Sequence, residues 1–298
     1  MKKIILFVAM LCFIACGVFA DGTNLELKFE KDTQNIYDMK SNITITDVNL
    51  GGYYLPMSIP PIKTEGQIFE KVLDVDKDKN AIIKTTFEMI VDGKKETSYV
   101  INVVTKYGQI IETLEIFNNG QTQKHTEENP LAIRNITNLI SQKFLPEKSI
   151  ALEDSWEIDN PMSEKNPVGI KLKNTLSKLE DKDGEQIATI QGNYNLKINI
   201  SDFANNMGSF FPQDQNMPAS MISSLEGDAV INFSKNEQLF SVTKGLIISN
   251  IMEGDINVNV TEPDTSMPIT ASMSVNITTT FKETEKLKEE LSPYSFKD

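Results

Sequence analysis

Polar and apolar residues alternate along most of this chain. Ala271, Met273, Val275, Ile277 and Phe281 are interleaved with Thr270, Ser272, Ser274, Asn276 and Thr280. Tyr194, Leu196, Ile198 and Ile200 take turns with Asn193, Asn195, Lys197 and Asn199, and Ile256, Val258 and Val260 with Asp255, Asn257 and Asn259. A period of two sends successive side chains to opposite faces of a strand. These segments therefore predict strands with one buried and one wet face, as in an antiparallel sheet. Comparable runs lie near 25–30, 36–49, 66–75, 80–92, 97–106, 109–118, 169–179, 186–201, 228–234 and 238–251. Turn-forming clusters separate them, among them Asp76-Lys77-Asp78-Lys79-Asn80, Asp92-Gly93-Lys94, Asn118-Asn119-Gly120, Asp181-Lys182-Asp183-Gly184 and Lys235-Asn236. Short turns between long strands predict hairpins and meanders.

One stretch carries a helical period. Asn129 suits an N-cap and Pro130 a first turn; Ile133, Ile136, Ile140 and Phe144 then share a stripe beside Leu139, and Pro146 ends it. The pattern predicts a central helix over 129–146 joining two β-rich halves, about 21–128 and 147–298. Thr284 to Leu291 predicts a short charged helix.

Two apolar stretches break the alternation. The first contains Tyr53, Tyr54, Leu55 and Met57 among Pro56, Pro60 and Pro61. The second, Phe203 to Leu225, carries Met207, Phe210, Phe211, Met217 and Met221 with Pro212 and Pro218; part of it, after Pro218, has the composition of a short helix. Prolines keep such segments out of helix interiors and central strands. Flexible Met and flat Phe side chains adapt to varied apolar partners. These nine residues are the candidate ligand contacts, as a mobile lid over an apolar cavity. The plainer alternative is that both loops cover the open end of the sheet core.

The first residues add a compartment. Lys2 and Lys3 precede an apolar run from Ile4 to Ala15, and Val18-Phe19-Ala20 lies before Asp21. A charged start, a short apolar core and a small-residue site are the marks of a secretory signal peptide. Residues 1–20 are expected to be removed and residues 21–298 to work in the periplasm or cell envelope. A second reading makes Phe13-Ile14-Ala15-Cys16 a lipobox, with Cys16 lipidated and the protein held at a membrane surface. Cys12 and Cys16 are the only cysteines, so cleavage after Ala20 leaves a chain without thiols or disulfides.

Charge and chemistry then narrow the function. There are 29 Lys and Arg, two of them in the leader, against 42 Asp and Glu, so the mature chain carries about −15. That excess excludes nucleic acid as a partner and adhesion to anionic lipid by charge alone. His125, the single histidine, lacks a clustered partner and reads as a solvated residue. Asp74, Asp76, Asp78 and Asn80 have the alternate spacing of a calcium loop, but Lys79 and Thr85 stand where Gly and Glu are needed, so a hairpin turn is expected. No phosphate-binding or nucleophile-elbow motif occurs, and no nucleophile–base pair is evident. The sequence reads as non-catalytic, without cofactor or metal.

Leu145-Pro146-Glu147-Lys148-Ser149-Ile150-Ala151-Leu152-Glu153-Asp154-Ser155-Trp156 resembles a signature of uncharacterised families of exported bacterial β-rich proteins: a Leu-Pro, an apolar strand and an Asp-x-Trp. In those families a Gly often precedes the Asp; here the residue is Glu153. Trp156, the only tryptophan, reads as a core anchor. The order of strands, helix, motif and further strands is similar as well. Such proteins resemble the outer-membrane lipoprotein carrier group. The resemblance implies a mainly β fold with a strongly curved antiparallel sheet, a half-barrel, one central helix and short accessory helices. It also implies a lipid or lipoprotein partner. Expected function is non-catalytic binding of an apolar ligand in the curve of the sheet. The alternative is a cell-envelope structural or protein-interaction module with a solidly packed core.

Overall fold

A computed structural model describes residues 22–54, 60–91, 94–118, 121–124, 144–160, 168–202, 224–288 and 292–296. In chain order the strands are β1 (Thr33–Leu50), β2 (Tyr53–Tyr54), β3 (Ile62–Val75), β4 (Ala81–Val91), β5 (Lys94–Val104), β6 (Ile110–Asn118) and β7 (Gln121–Lys124). Then come β8 (Ser155–Asn160), β9 (Val168–Lys182), β10 (Glu185–Asn199), β11 (Glu226–Ser241), β12 (Leu246–Glu262) and β13 (Met267–Lys286). All belong to one 13-stranded sheet of order β7-β6-β5-β4-β3-β1-β13-β12-β11-β10-β9-β8, with β2 paired to β1. Each pairing is antiparallel. The sheet is open, with β7 and β8 at its edges among the described residues.

Its topology is two meanders joined at a seam. β1 to β7 run outward on one side, and β8 to β13 return on the other. β13 pairs with β1 along its whole length, from Thr33↔Lys286 to Leu50↔Ile269. The lower end of the sheet holds the turns Asp76–Asn80, Thr105–Gln109, Asp183-Gly184 and Val242–Gly245. The upper end is where the chain leaves β1 and β10.

The central helix expected over 129–146 lies, from 129 to 143, outside the described residues; at its end Phe144, Leu145 and Pro146 are not helical. Phe144 and Leu145 are instead buried against the sheet. Several other expectations are corrected. The one helical turn among the described residues is Ile200–Asp202. In place of the charged helix expected over Thr284–Leu291, Thr284–Lys286 form the end of β13. Thr284, Glu285 and Lys286 pair with Asn35, Gln34 and Thr33, and ladder hydrogen bonds override local helix preference. Lys235-Asn236 is not a turn but a bulge within β11: Phe233 faces Gly254 and Lys235 faces Glu253, leaving Ser234 extra. Residues 25–30 are not a strand. They cross the lower end, where Leu27 N donates to Lys106 O at 2.7 Å and Lys28 N to Gly245 O at 3.0 Å.

The lower core gathers Leu25, Leu27, Leu145, Ile150, Leu176, Ala188, Ile190, Phe240 and Ile247 on the inward face. Asp76–Asn80 is a hairpin turn. Asp76 Oδ1 accepts from the backbone N–H groups of Asp78 and Asn80, each at 2.8 Å, and Oδ2 accepts from Asn80 Nδ2. The chain's own donors thus occupy this carboxylate.

Candidate apolar binding face

Antiparallel register fixes which side chains share the inward face. One row runs Ile158, Leu172, Tyr194, Phe233, Gly254, Val275, Ile43 from β8 to β1. The row above runs Ile170, Leu196, Ile231, Ile256, Met273, Ile45. Above that stand Val168, Ile198, Ala229, Val258, Ala271, Val48. None of these positions is charged. Alternation in each strand has merged into a continuous apolar field.

Burial is uneven across that field. On β9 and β10, Val168, Ile170, Leu172, Tyr194 and Leu196 are buried. Toward the seam, Ile231, Ile256, Val258, Met273, Ile43, Ile45 and Val48 are only half-buried. Ile43, Ile231 and Ile256 pack against the buried cluster yet keep part of their surface accessible, so the field is less sealed toward the seam than on β9 and β10.

A polar belt closes the field from below. Asn174, Gly192 and Asn236 are register partners across β9, β10 and β11, and Gln238 faces Asn250 on the next row. Asn236 Nδ2 donates to the Tyr194 hydroxyl at 2.9 Å. Burial raises the Tyr194 phenol pKa well above its ordinary value, and the amides of Asn174 and Asn236 offset part of that rise. The Oδ1 atoms of Asn174, Asn236 and Asn250 are buried without a protein hydrogen-bond donor. Gly192 has its place here for a steric reason: a Cβ would lie 2.2 Å from Asn174 Oδ1. The belt separates the half-open upper field from the sealed lower core.

Both loops predicted as contacts spring from the top of this field. A single rung passes through Asn199, Asp228, Asn259, Thr270, Asn49 and Tyr54. The loop after β10 and the loop after β1 therefore leave the sheet at the same height and the same end. Three strand spacings, about 14 Å, separate β11 from β1. Tyr53 is 79% exposed. Leu55, Met57, Met207, Phe210, Phe211, Met217 and Met221 lie outside the described residues, as do the side chain of Tyr54, Cys16 and His125. Sequence reasoning placed the contacts in the loops and took Ile256, Val258 and Met273 only as strand interior. Their signal was present, as alternation, but half-burial depends on neighbours distant in sequence.

The Asp-x-Trp segment is structural. Asp154 Oδ2 accepts from Ala151 N at 2.8 Å and closes the turn before β8. Glu153 N donates to Leu176 O, and Leu176 N to Asp154 O, docking that turn on β9. Glu153 itself has φ 70°, the left-handed region that favours glycine. Trp156 packs half-buried against the lower core and donates its indole N–H to Phe144 O at 2.9 Å.

Two clefts among the described residues lie on the opposite, polar face. One of about 370 Å³ is lined by Lys171, Asn195 and Asn232, and one of about 620 Å³ by Thr175, Gln191 and Glu237; Lys173, Asn193 and Ser234 border both. Lysines bordering them are paired, Lys173 with Glu157 at 3.6 Å and Lys235 with Glu253 at 2.7 Å.

No family model matches the chain, and no curated protein matches it. Among solved structures, one titled "Lipid-protein interactions in lipovitellin" is similar with TM-score 0.41 and 8% identity over 89% of this chain. The chain spans about a quarter of that protein, 26% of its length. A conserved protein of unknown function with a hot dog fold, from Alicyclobacillus acidocaldarius, follows at TM-score 0.12 and 11% identity, covering 83% of this chain and 79% of that one. Neither likeness reaches the level at which a shared fold follows, so the architecture rests on the pairing of its own strands.

Proposed function

We propose that this protein binds an apolar ligand, a lipid or the acyl chains of a lipoprotein, on the inward face of its sheet above the Asn belt. One observation carries the reading. The rows from Val168 to Val48 and from Ile170 to Ile45 are uncharged and apolar, half-buried toward the seam, and end where the Tyr- and Pro-containing loop and the Met- and Phe-rich loop leave the sheet. An acyl chain is flexible and apolar and gains from burial along such rows at roughly 0.8 kcal/mol per methylene. In this reading Tyr53, Tyr54, Leu55, Met57, Met207, Phe210, Phe211, Met217 and Met221 close over the ligand from the loop end. Residues 1–20 direct the chain out of the cytoplasm, with processing at Ala20 or lipidation at Cys16.

Titration with a fluorescent fatty-acyl probe tests the reading. The expected result is saturable binding that Phe210→Ser with Phe211→Ser weakens about tenfold while the melting temperature stays within about 3 °C. If that pair unfolds the protein, or leaves probe binding unchanged, the loops are core cover. If no saturable binding occurs at all, the alternative, a packed structural module, accounts for the chain.

A further inference from the structure

The outward face is used differently on its two sides. Beneath β3 to β6, Leu73, Ile82 and Ile101 are covered by the chain's own segment 292–296, through Tyr294 and Phe296. The Tyr294 hydroxyl donates to Glu115, and Phe296 N donates to Asp74 Oδ2 at 2.9 Å. Across β8 to β12 the outward side chains are polar and mostly exposed, and both clefts lie among them.

Strand register arranges these side chains as a grid. One row runs Asp159, Lys171, Asn195, Asn232, Asp255. The next runs Glu157, Lys173, Asn193 and, past the β11 bulge, Lys235 and Glu253. A third runs Ser155, Thr175, Gln191, Glu237. Charge stands on the flanks, while β10 in the middle carries only amides: Gln191, Asn193 and Asn195. Alternate residues of a strand stand about 7 Å apart, so the three amides form a ladder. The bulge spreads the grid at its centre. Between the pairs Gly192↔Asn236 and Tyr194↔Phe233, Asn193 alone faces Ser234 and Lys235. A bulge bends its strand and re-aims side chains, and here the two clefts meet, sharing Lys173, Asn193 and Ser234. The amides on either side of the junction are held in place. Asn193 donates its amide N–H to Ser234 O at 3.0 Å, and Asn195 Nδ2 donates to Asn232 Oδ1. Each cleft, at about 370 and 620 Å³, has the volume of a small-ligand site.

The side chains then select the ligand. An anion finds no uncommitted ammonium. Lys171 lies 3.9 Å from Asp159, Lys173 3.6 Å from Glu157 and Lys235 2.7 Å from Glu253. Glu153, Glu157 and Glu237 balance these three lysines around the clefts, so no net charge draws an ion of either sign. None of the three rows holds an apolar side chain, so an acyl chain or an apolar peptide gains nothing from burial here. An amide both donates and accepts, and so does a hydroxyl. A neutral molecule bearing many hydroxyls can therefore exchange water for these amides and leave no group unpaired.

We infer that the outward face of β9–β11 binds a neutral oligosaccharide along the amide ladder of Gln191, Asn193 and Asn195, across the β11 bulge. This site lies on the face opposite the apolar field, so its failure would leave the ligand-binding reading untouched.

The test uses the full chain and three probes: a hexamer of N-acetylglucosamine, a hexamer of glucose, and an anionic heparin hexasaccharide. At least one neutral probe should bind saturably with Kd of about 1 mM or below, and the heparin probe about tenfold more weakly. Gln191→Ala with Asn193→Ala should weaken the neutral probe about tenfold and leave binding of a fluorescent acyl probe unchanged. Amide NMR shifts of the unaltered chain should move in β9, β10 and β11 on addition of the neutral probe, which checks the site without any substitution. No saturable binding of either neutral probe, heparin binding as tight as theirs, undiminished binding by the double variant, or shifts confined to other strands would each overturn the inference.

Discussion

Residue by residue, the backbone and the buried polar atoms make the sharpest statements. Glu153 occupies a left-handed conformation at φ 70°, so Glu153→Gly should stabilise the protein by about 1 kcal/mol in chemical denaturation. Unchanged or lower stability would mean that its side chain contributes something the turn geometry does not show. Trp156→Ala should cost about 3 kcal/mol, the low end for a large aromatic because the side chain is half-buried, and it leaves Phe144 O with only the longer bond from Asn174 Nδ2 at 3.4 Å. Asn250 holds a buried acceptor without a donor; Asn250→Leu should raise stability by about 1 kcal/mol, read as a shift in denaturation midpoint. Little of this was legible beforehand. Trp156 reads as an anchor because a lone tryptophan rarely faces water entirely. The positive φ of Glu153 and the orphaned amides follow from contacts that no local pattern encodes.

At the scale of elements, alternation announced the strands and missed their ends. β9, β10 and β13 stand close to where their period-two runs placed them. A charged, Asn-containing pair at Lys235-Asn236 looks like a turn from sequence, but β12 continues opposite it and converts it to a bulge. The helix expected at Thr284 fails for the same reason: β1 offers a ladder that the sequence of β13 alone does not reveal. The segment 292–296 brings a pH dependence. Burial, then the hydrogen bond to Glu115 and its charge, push the Tyr294 phenol up to about 12. A phenol raised above its ordinary pKa near 10 favours attachment below that value, and the contribution is lost as pH rises toward the folded pKa. The segment should therefore detach between about pH 10 and 12, seen as faster exchange of the Phe296 amide. Tyr294→Phe should remove that dependence. At the acid end, burial alone would raise the Asp74 carboxyl. The Phe296 N–H, Lys31 and the Val75 N–H outweigh it and hold the carboxyl below its ordinary value. Attachment through Asp74 is therefore present above about pH 4 and lost as pH falls below it.

Across the whole molecule, the β1–β13 seam decides cohesion. The first and last long strands zip together, so both meanders share one sheet and one set of inward rows. Val275, buried beside Ile43 at the seam, is a point where both meet. Exchange protection in β4–β5 and in β9–β10 should then vanish in one denaturant transition, and Val275→Asp should lower both together. Two separated transitions would mean that the halves fold independently. Sequence alone left this open, because pairing of strands more than two hundred residues apart is set by global topology rather than local period. The same topology turns separate strand interiors into one apolar field. Photocrosslinking with an acyl chain bearing a reactive group along its length, followed by peptide mapping, is the direct test of that field as a binding face. Adducts on the peptides holding Ile256, Val258 and Met273, competed away by unlabelled lipid, are the predicted result. Adducts confined to the outward polar face, or no competed adduct at all, would contradict it.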